Sequence, residues 1–253
     1  MTDLTGRTVL IAGATSESGR VAALALLDAG AGVVAVGHSP AKLEQLAEAL
    51  RAADLSAPGR AQPGDGTVGG DARGATEAKS PWLVEACDLT DESAVRALAD
   101  RLHGDGIRID GVLHLVGGWR GGGGLAGQTD DDYRFLELSL TALRHVSRAF
   151  DDDLNASDAA RLAVVSSTAV ANPLAGGANY AAVKAATEAW TRAVGHGFAK
   201  NARDAARPLA AASVVFRVKS LAGLEQTLAD RFVALWDADP GEVNRTVVEI
   251  PAP

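Results

Sequence analysis

The chain has 253 residues, 47% of them hydrophobic, which is enough for a sizeable core and excludes global disorder. Its net charge is −8 with no Lys/Arg-rich run, which argues against nucleic acid and anionic membranes as principal partners. Cys87 is the single cysteine, so an intrachain disulfide is excluded and a reducing compartment is expected.

The start, Met1 to Arg7, is polar and lacks the apolar region of a signal peptide. No apolar run approaches the ~20 residues of a membrane helix, so a cytoplasmic protein is expected. Thr8–Ala12 reads as a first buried strand, and a turn from Gly13 to Gly19 leads into a helix. Val33–Val36 is the second strand. Ser39-Pro40 then supplies an N-cap and a proline at the first helical position, and Leu43, Leu46, Ala47 and Leu50 repeat on one helical face. Residues 56–80 are rich in Gly, Pro, Ala and Asp without hydrophobic period and read as a mobile surface insertion.

Trp82–Ala86 is the third strand; Thr90 is the expected cap of the next helix, whose apolar face is Ala94, Val95, Leu98 and Leu102. Val112–Val116 is the fourth strand, followed by Gly117–Gly127, in which seven of eleven residues are glycine. This loop leaves the carboxyl end of the sheet, where such folds bind ligands; a substrate cover and a floppy connection are both open readings. Asp130, Asp131 and Asp132 suit a helix start through the dipole, and that helix is expected over about 131–150. Asp151, Asp152 and Asp153 read as solvated. Leu162–Val165, Ser213–Val218 and Thr246–Ile250 complete the strands, with a helix over 178–198 between the first two. Apolar strands alternating with helices predict one doubly wound Rossmann-type α/β domain over 1–253, its parallel sheet holding about seven strands.

Tyr180 and Lys184 are four residues apart in a predicted helix, which puts both side chains on one face. A phenol near pKa 10 is a poor proton-transfer group at neutral pH, and a neighbouring ammonium favours the phenolate. Ser167 lies thirteen residues before Tyr180, just after the buried run Leu-Ala-Val-Val, where a hydroxyl can hydrogen-bond a carbonyl oxygen. A strand simply ending at Ser166-Ser167-Thr168 is the plain alternative. The histidines have no metal-ligand spacing with Cys87 or one another, and Ser167 lacks a nucleophile elbow.

Strand, Ser-Ser, a thirteen-residue step and Tyr-x-x-x-Lys together resemble the short-chain dehydrogenase/reductase family, and the resemblance covers nearly the whole chain. It implies that Ser167 orients a substrate carbonyl, Tyr180 is the acid–base, and Lys184 binds the nicotinamide ribose and lowers the tyrosine pKa. Gly13, Thr15, Ser16, Ser18 and Gly19 form the expected pyrophosphate turn at a helix start. Glu17 stands where the family pattern G-x-x-x-G-x-G has its middle glycine; it either points to solvent or weakens cofactor binding by on the order of 1 kcal/mol. After the second strand, His38 and Ser39 stand where an acid would select NAD, so NADP(H) is favoured over NAD(H). Asp88 and the Leu89 backbone are the expected adenine contacts.

The resemblance also has gaps. His114-Leu115-Val116-Gly117 replaces the family's Asn-Asn-Ala-Gly, with Val116 and Gly117 as the expected cofactor contacts there. The Val-Gly-Gly-Trp119 stretch resembles dihydropteridine reductases, which lack the same pattern. Ser139 aligns with the asparagine that supports a proton-relay water, so a catalytic supporting role is expected of it. The Pro-Gly after the sixth strand is missing, and only Ser220 to about Glu225 precedes the last helix, which implies an open site covered by Gly117–Gly127.

The implied activity is hydride transfer between NAD(P)(H) and a small carbonyl, alcohol or imine. A nucleotide-binding scaffold with negligible turnover and a non-redox lyase or isomerase remain alternatives. Saturable NADPH binding without turnover marks the first, and product without a change in NAD(P)H absorbance marks the second. A homodimer or homotetramer assembling through helices 131–150 and 178–198 is implied by the same resemblance.

Overall fold

The computed structural model describes residues 2–56 and 81–251. The predicted insertion therefore lies outside the described residues, apart from its first residue. Seven strands form one sheet: β1 (Thr8–Ala12), β2 (Gly32–Gly37), β3 (Trp82–Ala86), β4 (Gly111–His114), β5 (Arg161–Ser167), β6 (Ala212–Val218) and β7 (Thr246–Glu249). All pair in parallel, in the order β3-β2-β1-β4-β5-β6-β7. The expected fold class is met, and the strand boundaries differ by at most two residues at any end.

Among the described residues, eight α-helices accompany them: α1 (Glu17–Asp28), α2 (Pro40–Ser56), α3 (Glu92–Gly104), α4 (Asp130–Ala149), α5 (Asp151–Ala156), α6 (Ala178–Asp204), α7 (Glu225–Val233) and α8 (Pro240–Val243). Alternation along each strand sends side chains to two separate cores. Val9 and Ile11 of β1 join Ala22, Leu26, Leu50 and Phe232 beneath α1, α2 and α7. Leu10 and Ala12 join Leu98, Leu143, Val146 and Phe198 beneath α3, α4 and α6. Both faces are covered, which is why the strands read as unbroken apolar runs.

Local signals explain most helix starts. The Ser39 carbonyl accepts the Leu43 N–H at 3.0 Å, the first bond of α2, as the Ser-Pro pair predicts. Thr129 caps α4, its hydroxyl accepting from Asp132 N–H at 3.2 Å, and Asp130 to Asp132 occupy the first turn.

Three expectations are corrected. Asp91, not Thr90, caps α3: its carboxylate accepts from the Ser93 and Ala94 N–H groups, while the Thr90 hydroxyl donates to Asp88. Asp153 is not solvated; it is buried, accepting from Ile109 N–H and lying 3.0 Å from His103 Nε2. The helix expected to end at Phe198 continues to Asp204, because Phe198 and Ala202 keep its apolar face packed on the core. Among the described residues, no helix is long and apolar enough to cross a membrane.

Candidate active site

Strand order reverses direction between β1 and β4, and at such a switch the connections leave on opposite faces and open a crevice at the carboxyl edge. A cleft of about 1030 Å³ lies there. Its walls come from the turn after β1, the loop after β4, the ends of β5 and β6, and the start of α6.

The turn after β1 is built by two glycines. Gly13 sits in left-handed backbone (φ +86°), and a side chain there would put Cβ 3.0 Å from the Val116 nitrogen. At Gly19 a Cβ would fall 2.5 Å from the Ala14 carbonyl oxygen. Ser16 caps α1, its hydroxyl donating to the Gly13 carbonyl and accepting from Gly19 N–H at 3.1 Å. Thr15 packs its methyl under Gly37, leaving no room for a side chain there. Ser16 and Ser18 line the cleft. Glu17 turns away to solvent and pairs with Arg20 at 2.6 and 3.1 Å, which lowers its carboxyl pKa. Of the two fates expected for Glu17, the outward one is realised.

Val116 and Gly117 follow β4 and line the same cleft, with Gly117 within 3.6 Å of the Lys184 ammonium if given a Cβ. Ser167 ends β5, its oxygen accepting from Ala169 N–H at 3.1 Å to cap the short 3-10 turn Thr168–Val170. Tyr180 stands in the first turn of α6 and Lys184 one turn on. The three side chains that the sequence singles out therefore share one cleft.

Their electrostatics differ in part from expectation. The Lys184 ammonium is buried, lies 5.8 Å from the Tyr180 ring centroid and donates to the Val165 carbonyl at 2.8 Å. Burial pulls its pKa down to about 8, opposed by the charge of Glu188. Burial pushes the Tyr180 phenol upward, partly offset by a hydrogen bond from Ser167. The expected lowering of Tyr180 by Lys184 is thus corrected: desolvation of the phenolate is the larger effect.

Ser139 is buried in α4. Its hydroxyl donates to Leu136 in its own helix at 2.8 Å, its carbonyl receives His114 Nε2, and it does not line the cleft. His38, Ser39, Asp88 and Leu89 lie outside the cleft, further along the carboxyl edge at the ends of β2 and β3. His38 is exposed, and the Asp88 carboxylate accepts from Thr90 N–H and hydroxyl at 2.9 and 2.7 Å.

Several contributors had weak sequence signals. Glu188, 1% exposed, accepts from Ser166 at 2.7 Å and from two Arg217 nitrogens at 2.7 Å each. Burial raises its carboxyl pKa, but these bonds together hold it below the usual value. A glutamate one turn beyond Lys184 and an arginine inside the run Val-Val-Phe-Arg-Val are the visible hints. Gln128 ties the glycine loop down: its amide nitrogen lies 3.1, 3.3 and 3.1 Å from the carbonyls of Gly122, Gly124 and Gly176. Its oxygen accepts the Asn179 N–H, directly before Tyr180, at 3.1 Å. Gly117–Gly127 is therefore anchored at its far end, and Trp119 and Leu125 stand exposed on it.

The cleft fits a dinucleotide. Its charged lining among the described residues is Lys184 and Lys219, with no carboxylate, in a chain of net charge −8. The Gly13 and Gly19 positions leave the turn open where a Cβ would crowd it.

Comparison with known proteins agrees. A family model described as enoyl-(acyl carrier protein) reductase matches residues 69–216, more than half of the chain. No curated protein sequence matches it. Among solved structures, the chain is similar to an NADPH-bound short-chain oxidoreductase with an atypical catalytic center from Pseudomonas aeruginosa PAO1, with TM-score 0.78 and 18% identity over 99% of this chain and 97% of that one. A protein described as a short-chain dehydrogenase from Shigella flexneri 2a, complexed with NADP, gives TM-score 0.74 and 19% identity over 97% of each chain. A short-chain dehydrogenase from Salmonella enterica serovar Typhi gives TM-score 0.74 and 20% identity over 97% and 96%. With its sheet order, its cleft and the family match in agreement, this chain belongs to the short-chain dehydrogenase/reductase family.

Proposed function

We propose that the protein is an NADP(H)-preferring reductase of small carbonyl or imine compounds, working over 1–253 as a single domain. The observation that carries this reading is the convergence of Ser167, Tyr180 and Lys184 in one cleft without a carboxylate on its wall. Gly13, Ser16, Ser18 and Gly19 would hold the pyrophosphate at the start of α1, with Thr15 bracing the turn. Val116 and Gly117 would flank the nicotinamide riboside, and Lys184 would bind its ribose. Asp88 and the Leu89 backbone would meet the adenine. His38 and Ser39, with no acid at the end of β2, leave room for a 2′-phosphate and favour NADP(H).

When bound, the reduced nicotinamide supplies a hydride to the substrate carbon. Ser167 donates a hydrogen bond to the carbonyl oxygen and fixes its direction. Tyr180 delivers a proton to that oxygen as the carbon gains the hydride, so carbonyl plus hydride plus proton becomes alcohol. A phenol whose pKa is raised carries its proton at neutral pH, ready for reduction, although it is a weaker acid than a free tyrosine.

Assembly as a homodimer or homotetramer through α4 and α6 fits the exposed Tyr133, Phe135 and Leu138 on α4. The decisive experiment is oxidation of NADPH and NADH across a panel of aldehydes, ketones and imines. Turnover with NADPH ahead of NADH is expected; saturable NADPH binding with no turnover on any member would sink the reductase reading in favour of a binding protein.

A further inference from the structure

Tyr180, Lys184 and Glu188 follow one another at steps of four along α6, which places them in one stripe on the helix. Each meets a different residue in the run Val165-Ser166-Ser167 at the end of β5. The Lys184 ammonium donates to the Val165 carbonyl at 2.8 Å. The Ser166 hydroxyl donates to Glu188 Oε1 at 2.7 Å. Ser167 hydrogen-bonds the Tyr180 phenol. Tyr180 and Lys184 line the cleft, whereas Glu188 does not.

Glu188 is 1% exposed, and a buried carboxylate is costly unless its oxygens and its charge are both answered. Arg217 answers both: its Nε donates to Oε1 and its Nη2 to Oε2, at 2.7 Å each. Arg217 is also the cross-strand partner of Ser166 in the β5–β6 register. One carboxylate is thus bonded to both members of that pair. The next pair along the same register is Ser167 with Val218, and both line the cleft. A clamp alone needs no charge here, because two apolar side chains of similar volume pack a buried site about as well. The charge has a second recipient in Lys184, one turn back: burial pulls the ammonium pKa down, and Glu188 opposes that fall.

Resting on the roles given to Ser167 and Lys184 above, we propose that Glu188 is a positioning residue that fixes the Lys184 turn of α6 against the Ser167 end of β5, with Arg217 as its counter-charge. The working pattern on α6 is then Tyr-x-x-x-Lys-x-x-x-Glu. Glu188 acts on Ser167 through its neighbour Ser166, and on Lys184 through its charge. The charged and titratable groups around Lys184 are Tyr180 and Glu188 on α6 and His114 on β4. Arg217 on β6 and Arg192 on α6 stand behind Glu188, and Lys219, just beyond β6, lines the same cleft. Ser166 and Ser167 on β5 and Ser139 on α4 are neutral.

The test compares Glu188→Gln with the double variant Glu188→Met/Arg217→Met. The single variant turns an amide N–H toward the Arg217 guanidinium and should lose stability. The double variant removes both charges together and should unfold at nearly the wild-type urea concentration. Carbon NMR of the lysine ε-carbons, assigned by the signal missing in Lys184→Met, follows the ammonium with no substrate present. Lys184 should titrate at lower pH in Glu188→Gln by about one unit, and by less in the double variant. In the stable double variant kcat should also fall about tenfold, since Ser166 has lost its partner. Wild-type kcat in that variant would leave the pair a clamp of the sheet alone and overturn the proposal. The titration separates this from the reductase reading: a lowered Lys184 midpoint in Glu188→Gln is expected even if no carbonyl is reduced. An unmoved midpoint overturns the proposal even if turnover is fast.

Discussion

The two ends of β5 each hold a buried cation, and they use it in opposite ways. Arg161 begins the strand, 2% exposed, and gives its guanidinium to the carbonyls of Leu235, Ala160, Ala210 and Ala238 at 2.8 to 3.1 Å. Burial lowers its pKa to about 10, which leaves it charged at neutral pH. Lys184 reaches the other end of the strand, satisfies one carbonyl and keeps its remaining donors for the cleft. A cation with four of its five donors spent on carbonyls holds elements together; one with most of its donors left over can act on a ligand. The amino edge of this sheet is built for the first purpose and the carboxyl edge for the second.

Substitutions should separate the two ends. The largest effect is expected at the carboxyl edge: Tyr180→Phe should lower kcat by about 10²- to 10⁴-fold with NADPH affinity and thermal stability nearly unchanged. Retained turnover in that variant would move the acid role elsewhere. At the amino edge, Arg161→Met strands four carbonyls in a dry site. It should cost about 3 kcal/mol or more in denaturant unfolding, while the folded fraction keeps its turnover number.

A smaller effect appears in the pH dependence of stability. The folded pKa of Lys184, about 8, lies below the 10.5 of a free lysine, so the unfolded chain binds more protons between those values. Stability from this group is therefore present above 10.5, shrinks as pH falls, and is lost below about 8. Wild type should gain on Lys184→Met as pH rises from 8 to about 10, measured by urea unfolding; Arg161 begins to contribute in the same direction only near 10. Equal slopes for the two proteins would mean that Lys184 is less desolvated than its position implies. The smallest effect belongs to Glu17→Gly. Because Glu17 is exposed and paired with Arg20, NADPH affinity should rise by less than about threefold in a binding titration.

The strands were legible because burial on both faces writes a parallel sheet as short, unbroken β-branched runs. The Ser167, Tyr180 and Lys184 cluster was legible because a fixed helical spacing and a strand end carry it. What escaped lies in contacts between distant segments. Glu188 meets Arg217 from twenty-nine positions away, and nothing in the spacing of either names the other. Asp153 reads as part of an acidic run, yet its fate is decided by the Ile109 backbone and His103. His114 looks like a lost asparagine in a familiar motif; its meaning depends on the Ser139 carbonyl, which no side-chain pattern reports. The cap of α3 falls one residue later than expected for a local reason, since Thr90 and Asp91 are both good caps and the Asp88 carboxylate engages Thr90.

The anchor made by Gln128 has an entropic consequence. Seven glycines in eleven residues give the segment after β4 a large backbone entropy to lose whenever it is ordered. One amide side chain, held between Gly122, Gly124, Gly176 and Asn179, removes much of that freedom from the far half before any ligand arrives. The short stretch carrying Trp119 lies outside that anchor, with Arg120 stacked over Phe135 and 3.9 Å from Asp132, so ordering it over a substrate draws on a few residues' worth of freedom rather than eleven. The same amide ends on the residue before Tyr180, so the ordering of the loop and the placement of the phenol are settled together.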